Sequence, residues 1–191
     1  GSGKSRLLED IEWLAKGDTP TGRIVVAQGK NMKLEQDHSR WMVAQLSQNM
    51  NFVMDVTVRE FITMHAESRM VENVEKTVRN VLEYTNYLSG EQVTEDMFIT
   101  LLSGGQSRAL MIADIACISK SPIVLIDEIE NAGINRDAAL KLLVKSEKIV
   151  LIATHDPVLA LLGNRRLIMK NGGISAVLTR TREEEELLLS L

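Results

Sequence analysis

The sequence predicts an α/β protein: a mostly parallel sheet flanked by helices, with an inserted helical subdomain. Two observations carry this. Aliphatic runs at 123–126 and 148–153 are short, rich in β-branched residues and separated by helical patterns, as in parallel sheets covered on both faces. From 57 to 88, apolar residues recur at helical spacing, Val58, Phe61, Ile62, Met70, Val71, Val74, Val78, Val81 and Leu82 among them. No glycine or proline interrupts that stretch, so it reads as the helical subdomain.

Taken in order, 7–14 reads as a helix following the opening glycines, 23–28 as a strand and 41–46 as another. A helix over 103–118 starts on glycines. It is followed by a buried strand at 122–126, a helix at 137–144, a strand at 148–153, a helix at 157–162 and a closing strand at 166–170. The tail, 180–191, carries consecutive glutamates before leucines and reads as a solvated acidic helix. There are no repeats and no low-complexity linker.

Bulk properties narrow the function classes. At 191 residues the chain is one domain of ordinary size, with 45% hydrophobic and 25% charged residues as in soluble globular proteins. A net charge of −4 argues against a general affinity for nucleic acid or anionic membranes. Apolar runs such as 123–126 are far too short to span a bilayer, and the opening Gly-Ser-Gly-Lys lacks the apolar region of a signal peptide. The single cysteine, Cys117, excludes an internal disulfide and a multi-cysteine metal site, and reads as a buried helical thiol. A reducing, cytoplasmic setting is expected.

Chemistry begins at the first residue. Gly1-Ser2-Gly3-Lys4-Ser5 has the form of the second half of a Walker A motif and runs at once into a helical pattern. Backbone N–H groups and the positive helix end would cradle phosphates, and glycines let the backbone approach them closely. Lys4 would reach the β- and γ-phosphates, and the Ser5 hydroxyl would hold Mg²⁺. On its own this short match decides nothing, because the motif's upstream glycine is absent. Residues 123–128, Ile-Val-Leu-Ile-Asp-Glu, have the form of a Walker B strand that delivers Asp127 and Glu128 at its C-terminal end. Asp127 would contact Mg²⁺, and Glu128 would polarise the attacking water as a general base.

The deciding segment is Leu102-Ser103-Gly104-Gly105-Gln106, placed before a helix. Here the sequence resembles the ATP-binding cassette (ABC) family, whose signature is this pentapeptide. Glycine N–H groups and the Ser103 hydroxyl at a helix N-terminus form a second anion site. The resemblance implies that this site faces the γ-phosphate bound on a partner subunit. Two further residues fall in the family's order. Gln48 follows a strand and resembles the glutamine that senses Mg²⁺ and the attacking water, with Gln45 a rival inside the strand pattern. His155 follows the next buried strand, as the family's switch histidine does, and would donate a hydrogen bond to the γ-phosphate. His38 and His65 have no such setting and read as surface or packing residues.

The resemblance spans nearly the whole chain and implies a P-loop NTPase fold. Residues 1–48 and about 104–191 would form a RecA-like core, and about 49–103 a helical subdomain ending in the signature. It implies ATP and Mg²⁺ as ligands, held by Gly1, Ser2, Gly3, Lys4, Ser5, Arg6 and the signature residues, with Ser5, Gln48 and Asp127 on the metal. It also implies a second ABC domain, identical or not, as dimer partner, a transmembrane permease subunit, and a place at the inner face of the membrane. A soluble ABC ATPase acting in assembly, repair or regulation is the alternative; direct nucleic-acid binding is not expected.

Several departures from the family pattern bear on function. Arg6 stands where a threonine is usual, Asp114 where the signature helix usually carries a basic residue, and Asn131-Ala132-Gly133 begins an atypical D-loop. The family's first strands and adenine-stacking aromatic would precede residue 1.

Overall fold

Ile123, Val124, Leu125 and Ile126 offer no polar side chain to solvent, and all four are buried in the strand they form. The structure is a computed structural model that describes residues 2–26, 42–47, 51–127 and 133–184. Its elements run α1 (Lys4–Glu12), β1 (Val43–Leu46), α2 (Val58–Ser68), α3 (Val74–Ser89), a 3-10 turn (Ile99–Leu101), α4 (Gly104–Cys117), β2 (Ile123–Asp127), α5 (Arg136–Lys145), β3 (Ile149–Ala153), α6 (Pro157–Leu162), β4 (Arg165–Lys170) and β5 (Gly173–Thr179). The chain divides into two compact units, Gly1–Lys33 with Ile152–Leu191, and Leu34–Leu151.

In the Leu34–Leu151 unit, β1 and β2 pair in parallel, Val43 beside Ile123 and Leu46 beside Ile126, and the strand order is β1-β2-β3. This is the parallel sheet of the expected α/β class. Gln45 lies inside β1, opposite Leu125, as the strand pattern requires.

The helical part of this unit has its own apolar core. Val58, Ile62 and Ala66 lie four residues apart along α2 and are fully buried, with Val78 and Val81 of α3 and Leu110 and Ala113 of α4. Phe52 and Phe61 meet edge to face, 5.0 Å between centroids, at its margin. The helical subdomain expected over 57–88 is built here from two helices, α2 and α3. Met70 takes a left-handed φ of 53°, the Val71 N–H bonds the Ala66 carbonyl, and the Met70 N–H bonds that of Glu67. This is a Schellman stop built without glycine. Asn73 then restarts the chain as α3, its side chain accepting the Lys76 N–H.

Asp114, in the middle of α4, is buried, with both carboxylate oxygens 2.8 Å from Nδ1 of His65 on α2. Arg69 Nε donates to His65 Nε2 at 3.3 Å. Nδ1 therefore carries the proton given to the acceptor-only carboxylate, while Nε2 accepts. The acidic residue in the signature helix thus has a structural partner, and His65 is a packing residue with a defined polar role. Burial and the charge of Asp114 push the Cys117 thiol up to about 11, so it stays protonated at neutral pH.

In the unit of Gly1–Lys33 and Ile152–Leu191, the strand expected at 23–28 does not form over its described residues. Ile24 makes one isolated bridge with Lys16. The reason is local: Arg23 and Thr21 are drawn to the buried carboxylate of Asp10 on α1. β4 pairs antiparallel with β5, Lys170 opposite Gly173, around a two-residue turn with φ of 51° at Asn171 and 79° at Gly172. Positive φ at both central residues fits a tight hairpin, and Asn-Gly is the preferred pair there. Among the described residues no helix is long and apolar enough to cross a membrane.

Removing one partner of the Asp114–His65 pair exposes its worth. His65→Ala is expected to lower the unfolding free energy by about 2 kcal/mol, because Asp114 stays buried without the imidazole. Replacing both residues with leucine is expected to recover most of that loss in chemical denaturation.

Candidate functional site

Helix α1 opens on Gly3, in a left-handed conformation of φ 91° and with no side chain capping the helix. Among the described residues it is the only α-helix so placed. The N-termini of α2, α3, α4, α5 and α6 are capped by Thr57, Asn73, Ser103, Asn135 and Asp156. The N–H groups of Lys4, Ser5 and Arg6 have no intrahelical acceptor, so this helix end has donors to offer an anion. Gly3 has to be glycine on two counts. Its φ is costly for other residues, and a Cβ there would stand 2.8 Å from the Gly172 Cα.

The side chains follow from this start. Lys4 Nζ donates to the Thr154 carbonyl at 2.7 Å. Thr154 follows β3 and directly precedes His155, so the lysine lies against the segment that carries the histidine. His155 is exposed, one residue before Asp156, which caps α6 by accepting the Val158 N–H at 2.8 Å. Ser5 is exposed. Arg6 forms an exposed ion pair with Glu9 at 3.0 Å, one turn along α1, and supplies no hydroxyl. Gly1 lies outside the described residues.

In the other unit, Ser103 caps α4 in a closed box. Its Oγ accepts the Gln106 N–H at 3.2 Å, and the Gln106 side chain accepts the Ser103 N–H at 2.9 Å. Ser103 and Gly104 are exposed, and a Cβ on Gly104 would meet nothing within 4 Å. The N–H groups of Gly104 and Gly105 take no partner among the described residues. Gly133, φ 63°, lies close enough that its Cβ would stand 3.7 Å from the Gly105 Cα, which sets Gly133 beside Gly105. The Ser103 hydroxyl also lies 3.4 Å from Glu91 Oε2, a neighbour not legible from the sequence.

The carboxylates belong to this unit too. β2 ends on Asp127, half-buried, next to the end of β1 at Leu46. The chain thus leaves both strands at the same edge of the sheet, the end where parallel sheets bind ligands. Gln48 and Glu128 continue those two strands in sequence but lie outside the described residues. No group of three or more His, Cys, Asp and Glu among the described residues could hold a metal ion by itself.

Sequence reasoning missed the support behind the start of α1. Asp10 is 1% exposed and accepts Arg23 Nη1 at 2.5 Å and the Thr21 hydroxyl at 2.8 Å. Burial alone would raise its carboxyl; the hydrogen bonds from Arg23, Thr21 and Thr19 outweigh that and hold it below the ordinary value. The signal available was the Asn171-Gly172 dipeptide, which marks the turn that reaches the loop.

An uncapped glycine-led helix start with a lysine beside it fits a phosphate chain. The comparisons agree with this chemistry. A family model described as ABC transporter matches residues 1–131. An ABC transporter ATP-binding protein of Methanocaldococcus jannaschii is 54% identical over 189 residues, which is 98% of this chain and 72% of that protein. Among solved structures, an ATP-binding subunit of an ABC transporter superposes with a TM-score of 0.71 at 18% identity, covering 98% of this chain and 78% of that one. An ATP-binding cassette solved as a dimer in a post-hydrolysis state, with ADP and Pi, superposes with a TM-score of 0.67 at 23% identity, covering 94% and 82%. At these identities the two structures speak for the fold alone.

Ser103 has a capping duty separable from any phosphate contact. Ser103→Ala is expected to cost about 1 kcal/mol of stability. Ser103→Asp, an equally good cap, is expected to stay within roughly 0.5 kcal/mol of the parent in the same denaturation measurement.

Proposed function

Because this chain belongs to the ABC transporter family of ATP-binding proteins, we propose that it hydrolyses ATP at a head-to-tail dimer interface and powers transport across a membrane. ATP binding and hydrolysis come with family membership; the dimer, the residue roles and the coupling to transport are the reading developed here. The observation that carries it is the start of α1, where Gly3 leaves the first-turn N–H groups uncapped with Lys4 alongside.

Each residue then has a task. The first-turn N–H groups of α1 and the Lys4 ammonium bind the phosphate chain, which draws Lys4 from the Thr154 carbonyl. Ser5, Gln48 and Asp127 are assigned to Mg²⁺, which when bound offsets phosphate charge in the transition state. Glu128 takes a proton from the attacking water, and His155 donates a hydrogen bond to the γ-phosphate. The products are ADP and inorganic phosphate. Ser103, Gly104 and Gly105 of a second subunit complete the donor set around the γ-phosphate. The exposure of Ser103 and Gly104 supports that role, since a cross-subunit contact needs both at a surface. The helical part built on α2 and α3 is proposed to dock a membrane-spanning subunit.

Substitution at Glu128 separates chemistry from binding. Glu128→Gln keeps the shape and removes the base, so hydrolysis is expected to fall by ~10²-fold or more while ATP stays bound. Lys4→Ala is expected to weaken nucleotide binding itself, read by titration with a fluorescent ATP analogue. Turnover by Glu128→Gln at the parent rate, or unchanged affinity in Lys4→Ala, would remove the corresponding assignment.

A further inference from the structure

Contacts within the unit of Gly1–Lys33 and Ile152–Leu191 close a circuit around the phosphate loop. Ser2 and Gly3 lead into α1, which carries Asp10 on its buried side. Asp10 holds one arm of the Arg23 guanidinium at 2.5 Å. The other arm, Nη2, donates to the Gly172 carbonyl. Gly172, in the β4–β5 turn, donates its own N–H to the Ser2 carbonyl at 3.2 Å, and its Cα fills the space where a Gly3 side chain would begin. The path leaves the loop through α1 and returns to it through Arg23 and the turn.

We propose that Arg23 and Gly172 are positioning residues for the phosphate loop: the Asp10–Arg23 strut holds the β4–β5 turn against Ser2 and Gly3. The inference rests on the reading of Gly3 to Ser5 as the phosphate site. Two features of the geometry give it direction. A guanidinium is a rigid fork, and here one arm is fixed by a buried carboxylate, so the other delivers the Gly172 carbonyl to a set place. Gly172 has open space around its own Cβ position, whereas Gly3 does not. The close approach therefore constrains the phosphate loop, and the glycine of the turn serves only its φ of 79°. Held this way, Gly3 keeps its left-handed conformation before nucleotide arrives, and the first-turn N–H groups need no reorganisation on binding.

Arg23→Lys is the informative variant. It keeps a positive charge beside Asp10, but one ammonium does not span Asp10 and the Gly172 carbonyl as the fork does. The purified full chain is titrated with a fluorescent ATP analogue and Mg²⁺, well below the thermal midpoint of each variant measured without nucleotide. The expected result is a Kd raised about 5- to 10-fold, as loss of loop preorganisation implies, with the variant still fully folded. A lowered thermal midpoint with unchanged Kd in Arg23→Lys would make the strut a matter of stability alone and overturn the proposal. Lys4→Ala beside it keeps the two failures apart. Parent-like binding there would remove the phosphate reading itself, whereas weakened binding there with unchanged Arg23→Lys would remove only the strut.

Discussion

A backbone N–H can bind an anion only where no other group has claimed it, and the glycine-led starts of α1 and α4 both leave such groups over. At α1 the condition is met by having no cap: Gly3 precedes the helix in a left-handed conformation. At α4 it is met differently, since Ser103 and Gln106 satisfy one another and leave the N–H groups of Gly104 and Gly105 at the exposed tip. The first arrangement surrenders a capping hydrogen bond, typically about 1 kcal/mol, so tertiary contacts must hold the loop instead. The contacts of Gly172 with Ser2 and Gly3 are of that kind.

The same logic extends to α4. Helix α4 is fixed along its length, Asp114 bonding His65 of α2 while Leu110 and Ala113 join the apolar core. The start of α4 is thereby tied to the helical part of its unit, and Gly133 lies against Gly105. An acidic residue at 114 looks like a loss of positive charge when seen in sequence. In the structure it is a buried hydrogen-bond acceptor with its donor in place.

What was legible in the sequence was local. The aliphatic run of β2 marked a buried strand, the glycines after Ser103 the start of α4, and Pro157 the start of α6. The glycine-lysine start of α1 and the acid at the end of β2 were readable for the same reason. The misses came from competing or long-range physics. The stop at Met70 uses a left-handed residue that is not glycine, so no breaker was visible. Residues 23–26 have strand composition, but a buried carboxylate thirteen positions upstream of Arg23 captured that side chain. The Arg23–Gly172 contact joins positions 149 apart, and His65–Asp114 joins positions 49 apart; neither leaves a periodic trace. The β5 strand is signalled by Asn171-Gly172, the pair a tight hairpin prefers.

In the proposed function, a second subunit supplies the signature to complete the phosphate site. Light scattering on Glu128→Gln tests this most directly, with Mg-ATP, with Mg-ADP and without nucleotide. The expected result is a particle of twice the nucleotide-free mass with Mg-ATP alone, because the γ-phosphate bridges Lys4 of one subunit and Ser103 of the other. A mass that stays unchanged at saturating Mg-ATP would contradict the shared site in a pair of identical chains.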